Sequence, residues 1–293
     1  MTSPLVDRLL GHRTAWNRPI GWTARLIGAI YRALGPLGRP VQGFLNGTWL
    51  GHPLHPMLTD VPIGAWTIVL ALDVIALAVP GAGLGPAAAI ALWLGVAAAL
   101  GSIASGATDW KDTYGYEQRV GFVHGLVMLV ATLLYLVSGL LRVTGSLESS
   151  GARLVAVVGW IALVGGGYLG GEMAFAFGSM VDHNAFREGP EEYEAVGPLS
   201  ALVEGLNLVH VGGDAVLIVN AEGRLCALGD VCSHAGGPLH EGTLTGAYVE
   251  CPWHGSRFRL ADGSVLRGPA AFPQPRYDVR VSGGQVEVRR RAV

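Results

Sequence analysis

Two short segments near the C-terminal end each combine a cysteine with a histidine. The first holds Cys232 and His234, with one residue between them, and the second holds Cys251 and His254, with two between them. Sixteen residues separate His234 from Cys251. Thiolates and imidazoles bind zinc, and they also hold the two-iron clusters in which one iron takes two cysteines and the other takes two histidines. The segments therefore predict a metal centre.

The distribution of ligand types favours the cluster over zinc. Zinc sites usually pair cysteines in one segment and histidines in another, whereas here each segment offers one of each. Each segment can then give one ligand to each iron of a [2Fe–2S] cluster. Zinc is the remaining alternative. Three cysteines are too few for a disulfide framework, and we expect the third, Cys226, to be a buried strand residue.

The surroundings of both segments resemble the Rieske ferredoxin family. The resemblance covers about residues 195–290 and is carried by residues 227–239, residues 251–258 and Gly268-Pro269-Ala270. It implies a small all-β domain whose [2Fe–2S] ligands are Cys232, His234, Cys251 and His254. It also implies that Ser256 donates a hydrogen bond to a bridging sulfide and that the two histidines form the exposed edge of the cluster.

This sequence departs from the high-potential members of that family. Those members carry a disulfide between the two ligand loops and a tyrosine hydroxyl near a cysteine sulfur. Here Gly237 and Trp253 stand at the disulfide positions, and Phe258 stands at the tyrosine position. Because fewer donors to the sulfurs stabilise the reduced cluster less, we expect a potential in the lower part of the Rieske range. Ferredoxins that serve oxygenases have such potentials.

The middle of the chain is too apolar for an ordinary soluble protein. The 293 residues are 51% hydrophobic and only 14% charged, against about 25% charged in typical proteins. Four long apolar runs cover residues 62–80, 86–107, 120–141 and 154–178. Each approaches or exceeds the ~18–20 residues that a helix needs to cross a bilayer. The sequence predicts a multidomain protein: a four-helix transmembrane bundle followed by a small all-β Rieske-type domain.

We divide the chain into an arm, a transmembrane domain, a linker and the Rieske-type domain, at residues 1–47, 48–185, 186–194 and 195–293. The arm carries one acid, Asp7, and six arginines: Arg8, Arg13, Arg18, Arg25, Arg32 and Arg39. Basic residues near the first crossing favour a cytoplasmic N-terminus, and four crossings return the C-terminal domain to that side. We therefore predict a multi-pass protein of the bacterial inner membrane with a cytoplasmic Rieske domain.

The arm is amphipathic at helical spacing, with Trp22, Ile27, Ile30 and Leu34 alternating with arginines. Such a helix is expected to lie on the membrane surface, and an ordinary packing helix is the alternative.

Four histidines flank or enter the apolar runs. His52 and His55 precede the first run, His124 lies in the third, and His183 follows the fourth. On the predicted topology all four lie on the cytoplasmic side. Because ionisable residues at membrane depth are usually functional, these histidines predict a site for a b-type haem, a quinone or a metal. A structural role at the interface is the alternative. The deeper Asp73 is either a helix–helix hydrogen-bond partner or a proton carrier.

Residues 48–185 resemble a family of predicted four-helix bacterial membrane proteins of unknown function. The matching residues are the segment from Gly51 to Pro56, the pair His124-Gly125, and Gly170-Gly171-Glu172. The resemblance implies the fold and no activity.

Together these features predict a membrane-anchored carrier of single electrons between a haem or quinone and a redox partner, as a component of an oxidoreductase. Whether the chain is itself an enzyme is left open. The alternatives are a tethered ferredoxin that supplies a separate oxygenase, and a redox sensor. No residues remain for a mononuclear iron domain, so we do not expect an oxygenase. The expected partners are the lipid bilayer and a redox protein or quinone. The net charge of −2 argues against nucleic acid, and a homo-oligomer is compatible with the sequence.

Overall fold

A computed structural model describes residue 6, residues 16–221 and residues 223–291. Asp7, Arg8 and Arg13, which contribute to the predicted charge of the arm, lie outside the described residues. The chain divides into two compact units. The first comprises Met1–Gly38 and Leu54–Phe177, and the second comprises Arg39–Pro53 and Gly178–Val293.

The α-helices occupy the N-terminal part of the described chain, up to Ala176. They are α1 (Asn17–Ala33), α2 (Gly38–Asn46), α3 (Leu54–Ala78), α4 (Gly85–Trp110), α5 (Gly115–Thr144) and α6 (Ser150–Ala176). Helices α3 to α6 are long and apolar enough to cross a membrane, with mean hydropathies between 1.8 and 2.2. The predicted bundle of four apolar helices is therefore confirmed.

The first long helix starts earlier than its apolar run. Helix α3 begins at Leu54, eight residues before the run that starts at residue 62. Pro53 and Pro56 lie just before the helix and in its first turn, where the missing N–H of proline has no intrahelical partner to lose. His55 is consequently the second residue of α3 rather than part of a preceding loop.

The bundle core is built on close helix contacts. The rings of Trp66 on α3 and Tyr135 on α5 are stacked with centroids 4.1 Å apart, and both side chains are fully buried. A Cβ at Gly95 of α4 would lie 2.3 Å from Nε1 of Trp66, so only glycine leaves room for the indole. Small residues thus let α3 and α4 approach closely, as in other membrane helices.

Helix α1 confirms the helical prediction for the arm. Trp22, Leu26 and Ile30, spaced four residues apart, are between 45% and 61% exposed. The Tyr31 hydroxyl forms a hydrogen bond with the Thr108 hydroxyl of α4. The location of α1 on a membrane surface stays a prediction.

The second unit contains two antiparallel sheets. The six-stranded sheet has the order β1-β10-β9-β4-β3-β2, and the four-stranded sheet has the order β5-β6-β7-β8. The strands are β1 (Glu194–Pro198), β2 (Gly205–Val211), β3 (Asp214–Ala221), β4 (Arg224–Gly229), β5 (Thr243–Thr245), β6 (Tyr248–Glu250), β7 (Arg257–Arg259), β8 (Val265–Arg267), β9 (Arg276–Ser282) and β10 (Gln285–Arg290). This is the small all-β domain that the sequence predicts.

Candidate metal centre

The four predicted cluster ligands lie on two neighbouring loops. The first loop, residues 230–242, connects β4 to β5 and carries Cys232 and His234. The second loop, residues 251–256, connects β6 to β7 and carries Cys251 and His254. The two imidazole rings are 4.9 Å apart between centroids, and the two thiols are within hydrogen-bonding reach of each other. The fold therefore brings all four side chains together.

Both loops close with the same backbone pattern. Each cysteine N–H donates to the carbonyl five residues ahead, from Cys232 to Gly237 and from Cys251 to Ser256, at 2.8 Å in both cases. Each cysteine carbonyl accepts from a glycine four residues ahead, Gly236 or Gly255. These glycines have φ values of 79° and 71°, which side-chain-bearing residues rarely adopt. The sequence thus builds two copies of one ligand loop.

Backbone N–H groups converge on both sulfurs. The N–H groups of His234 and Ala235 point at the Cys232 sulfur, and those of Trp253 and His254 point at the Cys251 sulfur. The thiol of Cys232 and the N–H groups of Trp253 and His254 lower the pKa of Cys251 to about 7, whereas the bond to Cys251 and burial raise the pKa of Cys232. Donors placed around a sulfur stabilise the thiolate form, which is the form that binds metal.

Burial distinguishes the two ligand types. Cys232 and Cys251 are 1% and 3% exposed, whereas His234 and His254 are half-buried. A cluster held by these residues would have its cysteine-bound iron inside the domain and its histidine-bound iron toward the surface. This arrangement agrees with the expectation that the imidazoles form the exposed edge.

A third loop, residues 268–274, is tied to both ligand loops through serines. Ser233 of the first loop donates from Oγ to the carbonyl of Phe272 at 2.7 Å. Ser256 of the second loop accepts at Oγ from the N–H of Ala270 at 3.0 Å. Both serines are fully buried. The Ser256 hydroxyl hydrogen is thus not used in this bond and can be donated to another acceptor.

At the positions where this sequence differs from high-potential Rieske proteins, neighbouring side chains fill the space. A Cβ at Gly237 would lie 2.9 Å from the Cys251 sulfur and 3.0 Å from the Trp253 ring. The indole therefore covers the place where a second cysteine would stand. Phe258 is fully buried in the same apolar cluster as Cys232 and Cys251. None of the three cysteines, all of which are among the described residues, forms a disulfide.

The donor set fits a two-iron cluster. Two buried sulfurs and two imidazoles face one another, which supplies two protein ligands for each iron. Within residues 16–221 and 223–291, no three His, Cys, Asp or Glu side chains are placed to hold a single metal ion.

Sequence reasoning missed one side chain that positions the first loop. Asn184 is 4% exposed, and its Nδ2 donates to the carbonyl of Val231 at 2.8 Å. The Gln274 amide is oriented so that both its nitrogen and its oxygen have hydrogen-bond partners. Its nitrogen donates to the same Val231 carbonyl at 3.1 Å, and its oxygen accepts from the N–H of Ser233 at 2.8 Å. No local pattern marks Asn184, because Val231, whose carbonyl accepts from its amide, lies 47 residues away.

The membrane histidines do not form one group. His55 and His124 lie together in the first unit, with ring centroids 6.4 Å apart. His52 belongs to the second unit, is exposed, and has its Nδ1 3.0 Å from the carbonyl of Pro53. His183 also belongs to the second unit, seven residues beyond the end of α6, and its N–H donates to the carbonyl of Ser233.

Comparison with known families covers both units. Residues 194–278 match the Rieske [2Fe–2S] domain, and residues 51–183 match a family described as predicted membrane protein (DUF2231). The chain is 32% identical over 96 residues to the naphthalene 1,2-dioxygenase ferredoxin component of Pseudomonas putida, covering 32% of this chain and 91% of that protein. It is 32% identical over 95 residues to the cytochrome b6-f iron–sulfur subunit of Chlorobaculum tepidum, covering 32% of this chain and 51% of that protein.

Two further similarities are confined to the same domain. The human apoptosis-inducing factor 3 is 36% identical over 81 residues, which is 28% of this chain and 13% of that protein. Among curated relatives, the chain thus spans from about an eighth to nine tenths of their length. A solved structure, the ferredoxin of carbazole 1,9a-dioxygenase from Nocardioides aromaticivorans IC177, is 31% identical, with a TM-score of 0.32, covering 33% of this chain and 95% of that one.

Two cysteine–histidine loops at one end of a small antiparallel β domain define a cluster-binding electron-transfer module. The chain belongs to the Rieske family and binds a [2Fe–2S] cluster, joined here to a DUF2231 membrane domain. The iron–sulfur interpretation is therefore correct, and the zinc alternative is set aside.

Proposed function

We propose that this protein is a membrane-anchored carrier of single electrons between a redox centre in the membrane and a partner. The observation that carries the proposal is a domain with buried thiols and half-exposed imidazoles, in a chain with four helices able to cross a bilayer. When bound, the cluster accepts and returns one electron at a time. The protein surface at the imidazoles is the place where that electron can enter or leave.

The proposed ligands are Cys232 and Cys251 on one iron and His234 and His254 on the other. The repeated loop geometry supports this assignment, because each loop directs one residue of each type toward the other loop. The membrane redox centre is proposed to be a haem or a quinone, held by histidines of the membrane domain. The predicted candidates are His52, His55, His124 and His183.

The proposed location is the bacterial inner membrane, with the N-terminus and the Rieske domain in the cytoplasm. Support comes from the arginines of the arm, of which Arg18, Arg25 and Arg32 lie on α1 and Arg39 on α2. A reporter enzyme that is active only in the periplasm should stay inactive when fused to the C-terminus. Activity of that fusion would overturn the orientation.

The hydroxyl of Ser256 is expected to raise the potential of the cluster. With two thiolates and two neutral imidazoles, the cluster is uncharged when oxidised and negative when reduced, so a donated hydrogen bond favours the reduced form. A bond to a charged group is about 1–1.5 kcal/mol stronger than a bond to a neutral one, which is roughly 40–60 mV for one electron. Ser256→Ala should lower the midpoint potential by that amount in an EPR-monitored titration.

A matched variant should shift the potential in the opposite direction. Phe258→Tyr places a hydroxyl beside the buried cysteines and should raise the midpoint potential. An unchanged potential in Ser256→Ala would show that the hydroxyl does not donate to the cluster.

The second candidate function is a tethered ferredoxin whose helices serve only as an anchor. It is favoured by the similarity to dioxygenase ferredoxin components and by Trp253, which fills the position of the second loop's disulfide cysteine. In that case a separate oxygenase would receive the electron.

The deciding experiment is spectroscopy of the full chain purified in detergent, oxidised and then reduced with dithionite. The proposal predicts a Rieske-type EPR signal in the reduced state. One electron equivalent of oxidant per chain should oxidise the cluster again and remove the signal. A protein that contains zinc in place of iron and gives no EPR signal would overturn the proposal.

A further inference from the structure

Two histidines lie close to each other in the helical unit. His55 is the second residue of α3, and His124 lies on α5. Their ring centroids are 6.4 Å apart, and the ring planes are perpendicular at 89°. These two side chains come from different helices, and the cluster site of the Rieske domain uses neither.

The hydrogen bonds of each ring fix which nitrogen carries the proton. Nδ1 of His55 lies 2.8 Å from the carbonyl of Ser102 on α4, and Nδ1 of His124 lies 2.8 Å from the carbonyl of Gly166 on α6. A carbonyl only accepts, so Nδ1 must donate in both rings. In a neutral imidazole the other nitrogen, Nε2, then presents a lone pair. Histidines that bind metals are typically oriented in this way, by an N–H donated to a carbonyl.

The same arrangement occurs twice in the bundle. Gly106 lies four residues after Ser102, and Gly170 lies four residues after Gly166. A Cβ at Gly106 would be 2.6 Å from Cε1 of His55, and a Cβ at Gly170 would be 3.2 Å from Cε1 of His124. Each imidazole is therefore seated on a neighbouring helix by a carbonyl acceptor and a glycine that leaves room for the ring. Such repetition is unexpected for two histidines that merely fill space.

The separation of the rings suits a metal bound between them. A metal–nitrogen distance of about 2.0 Å, with roughly 1.2 Å from nitrogen to ring centre, places two opposed imidazole centres roughly 6.4 Å apart. Perpendicular planes are compatible with this geometry, because each ring can rotate about its own bond to the metal.

The number and type of the ligating atoms also indicate which class of ligand can bind at His55 and His124. Protein sites for a bare zinc or iron ion use three or four protein ligands, whereas His55 and His124 are only two, and among the described residues no third His, Cys, Asp or Glu is placed with them to hold an ion. A quinone carbonyl requires a donated hydrogen, which Nε2 of a neutral imidazole lacks, and one quinol, whose two hydroxyls lie at opposite ends of its ring, would use only one of these two neighbouring lone pairs. Two imidazoles at this separation match an iron whose four remaining positions are occupied by a macrocycle.

We propose that His55 and His124 are the two axial ligands of a haem in the membrane domain. The inference rests on the proposed function and narrows it, from four candidate histidines to two and from a haem or quinone to a haem. His52 and His183 are not ligands of this haem.

The test measures haem in the full chain, purified in detergent from cells supplied with a haem precursor. The expected result is one haem per chain by the pyridine haemochrome assay, with the optical and EPR spectra of a low-spin bis-histidine iron. His55→Ala and His124→Ala should each reduce haem content at least tenfold, while the EPR signal of the cluster persists. His52→Ala, three residues from His55 and exposed, is the matched control and should keep full haem content.

Two further variants separate ligand loss from misfolding. His55→Gly should recover the low-spin spectrum when imidazole is added, and His55→Met should keep haem with a changed axial-ligand spectrum. A wild-type protein with an intact cluster signal and no haem would overturn this inference and leave the proposed electron carrier standing. Unchanged low-spin spectra in both alanine variants would also overturn it. Absence of the cluster signal would instead count against the proposed function.

Discussion

Replacing His254 with alanine is expected to abolish the [2Fe–2S] cluster while the membrane domain keeps its fold. The substitution leaves one iron with a single protein ligand, His234, at the half-exposed edge of the site where water competes for the metal. Cluster binding contributes to the folding free energy of the small domain, so the loss should also lower its stability. Reduced-state EPR and iron content per chain measure the effect.

The conservative variant His254→Cys distinguishes ligand loss from a general disturbance of the loop. It should keep a cluster, but the added thiolate charge should lower the potential and change the EPR spectrum from the Rieske type. Cys226→Ser is the matched control, because this third cysteine lies on β4 and belongs to neither ligand loop. Its cluster content should equal that of the natural sequence. A full Rieske signal in His254→Ala would refute the ligand assignment.

The two ligand loops were predictable because the residues that define each loop are close together in the sequence. Each loop takes its ligands from residues at most three positions apart, and the glycines at Gly236 and Gly255 set the same turn after each cysteine. The transmembrane helices were equally predictable, because crossing a bilayer depends on the length and apolar composition of a helix and not on particular residue contacts.

The contacts that hold the loops could not be found in the same way. Asn184 lies between the regions that match the two families, yet its amide supports the first loop through partners far along the chain. The positions of the shortest strands could not be predicted from the sequence either. The three-residue β5 and β8 are too short for an alternating pattern to emerge.

The four histidines show a difference between the sequence prediction and the structure. Four histidines share a predicted depth, but only His55 and His124 meet, because α3 extends back through Pro62 and Pro56 to include His55. Periodicity could not reveal this extension, since proline within an apolar pattern normally marks a helix boundary.

Asp73→Ala is expected to be the most destabilising single substitution in the membrane domain. Asp73 on α3 pairs with Arg142 on α5 and lies 3.6 Å from Nε of Arg153 on α6. The side chains of Asp73 and Arg142 are 6% and 0% exposed. Removing the carboxylate leaves the buried Arg142 cation without its anion, which costs about 3–5 kcal/mol for a broken buried pair, whereas Arg153 keeps Glu148 as a partner. The structure thus gives Asp73 the role of a helix–helix partner rather than requiring a proton carrier.

A double-mutant cycle with Arg142→Leu isolates the pair. Arg142→Leu alone should cost less than Asp73→Ala, because Arg153 still neutralises the carboxylate. If the ion pair accounts for the effect, the double variant should be more stable than the sum of the single losses predicts. Unfolding of the detergent-solubilised protein in increasing denaturing detergent, followed by tryptophan fluorescence, gives the free energy of unfolding of each variant.

The control for this cycle is Asp60→Ala, which removes an exposed carboxylate from the same helix. A surface substitution of this kind typically changes the free energy of unfolding by less than about 0.5 kcal/mol. Equal losses in Asp60→Ala and Asp73→Ala would mean that the buried pair contributes nothing specific to the bundle. A large loss confined to Asp73→Ala, with cluster EPR unchanged, would show that the pair stabilises the helices and that the Rieske domain folds independently of it.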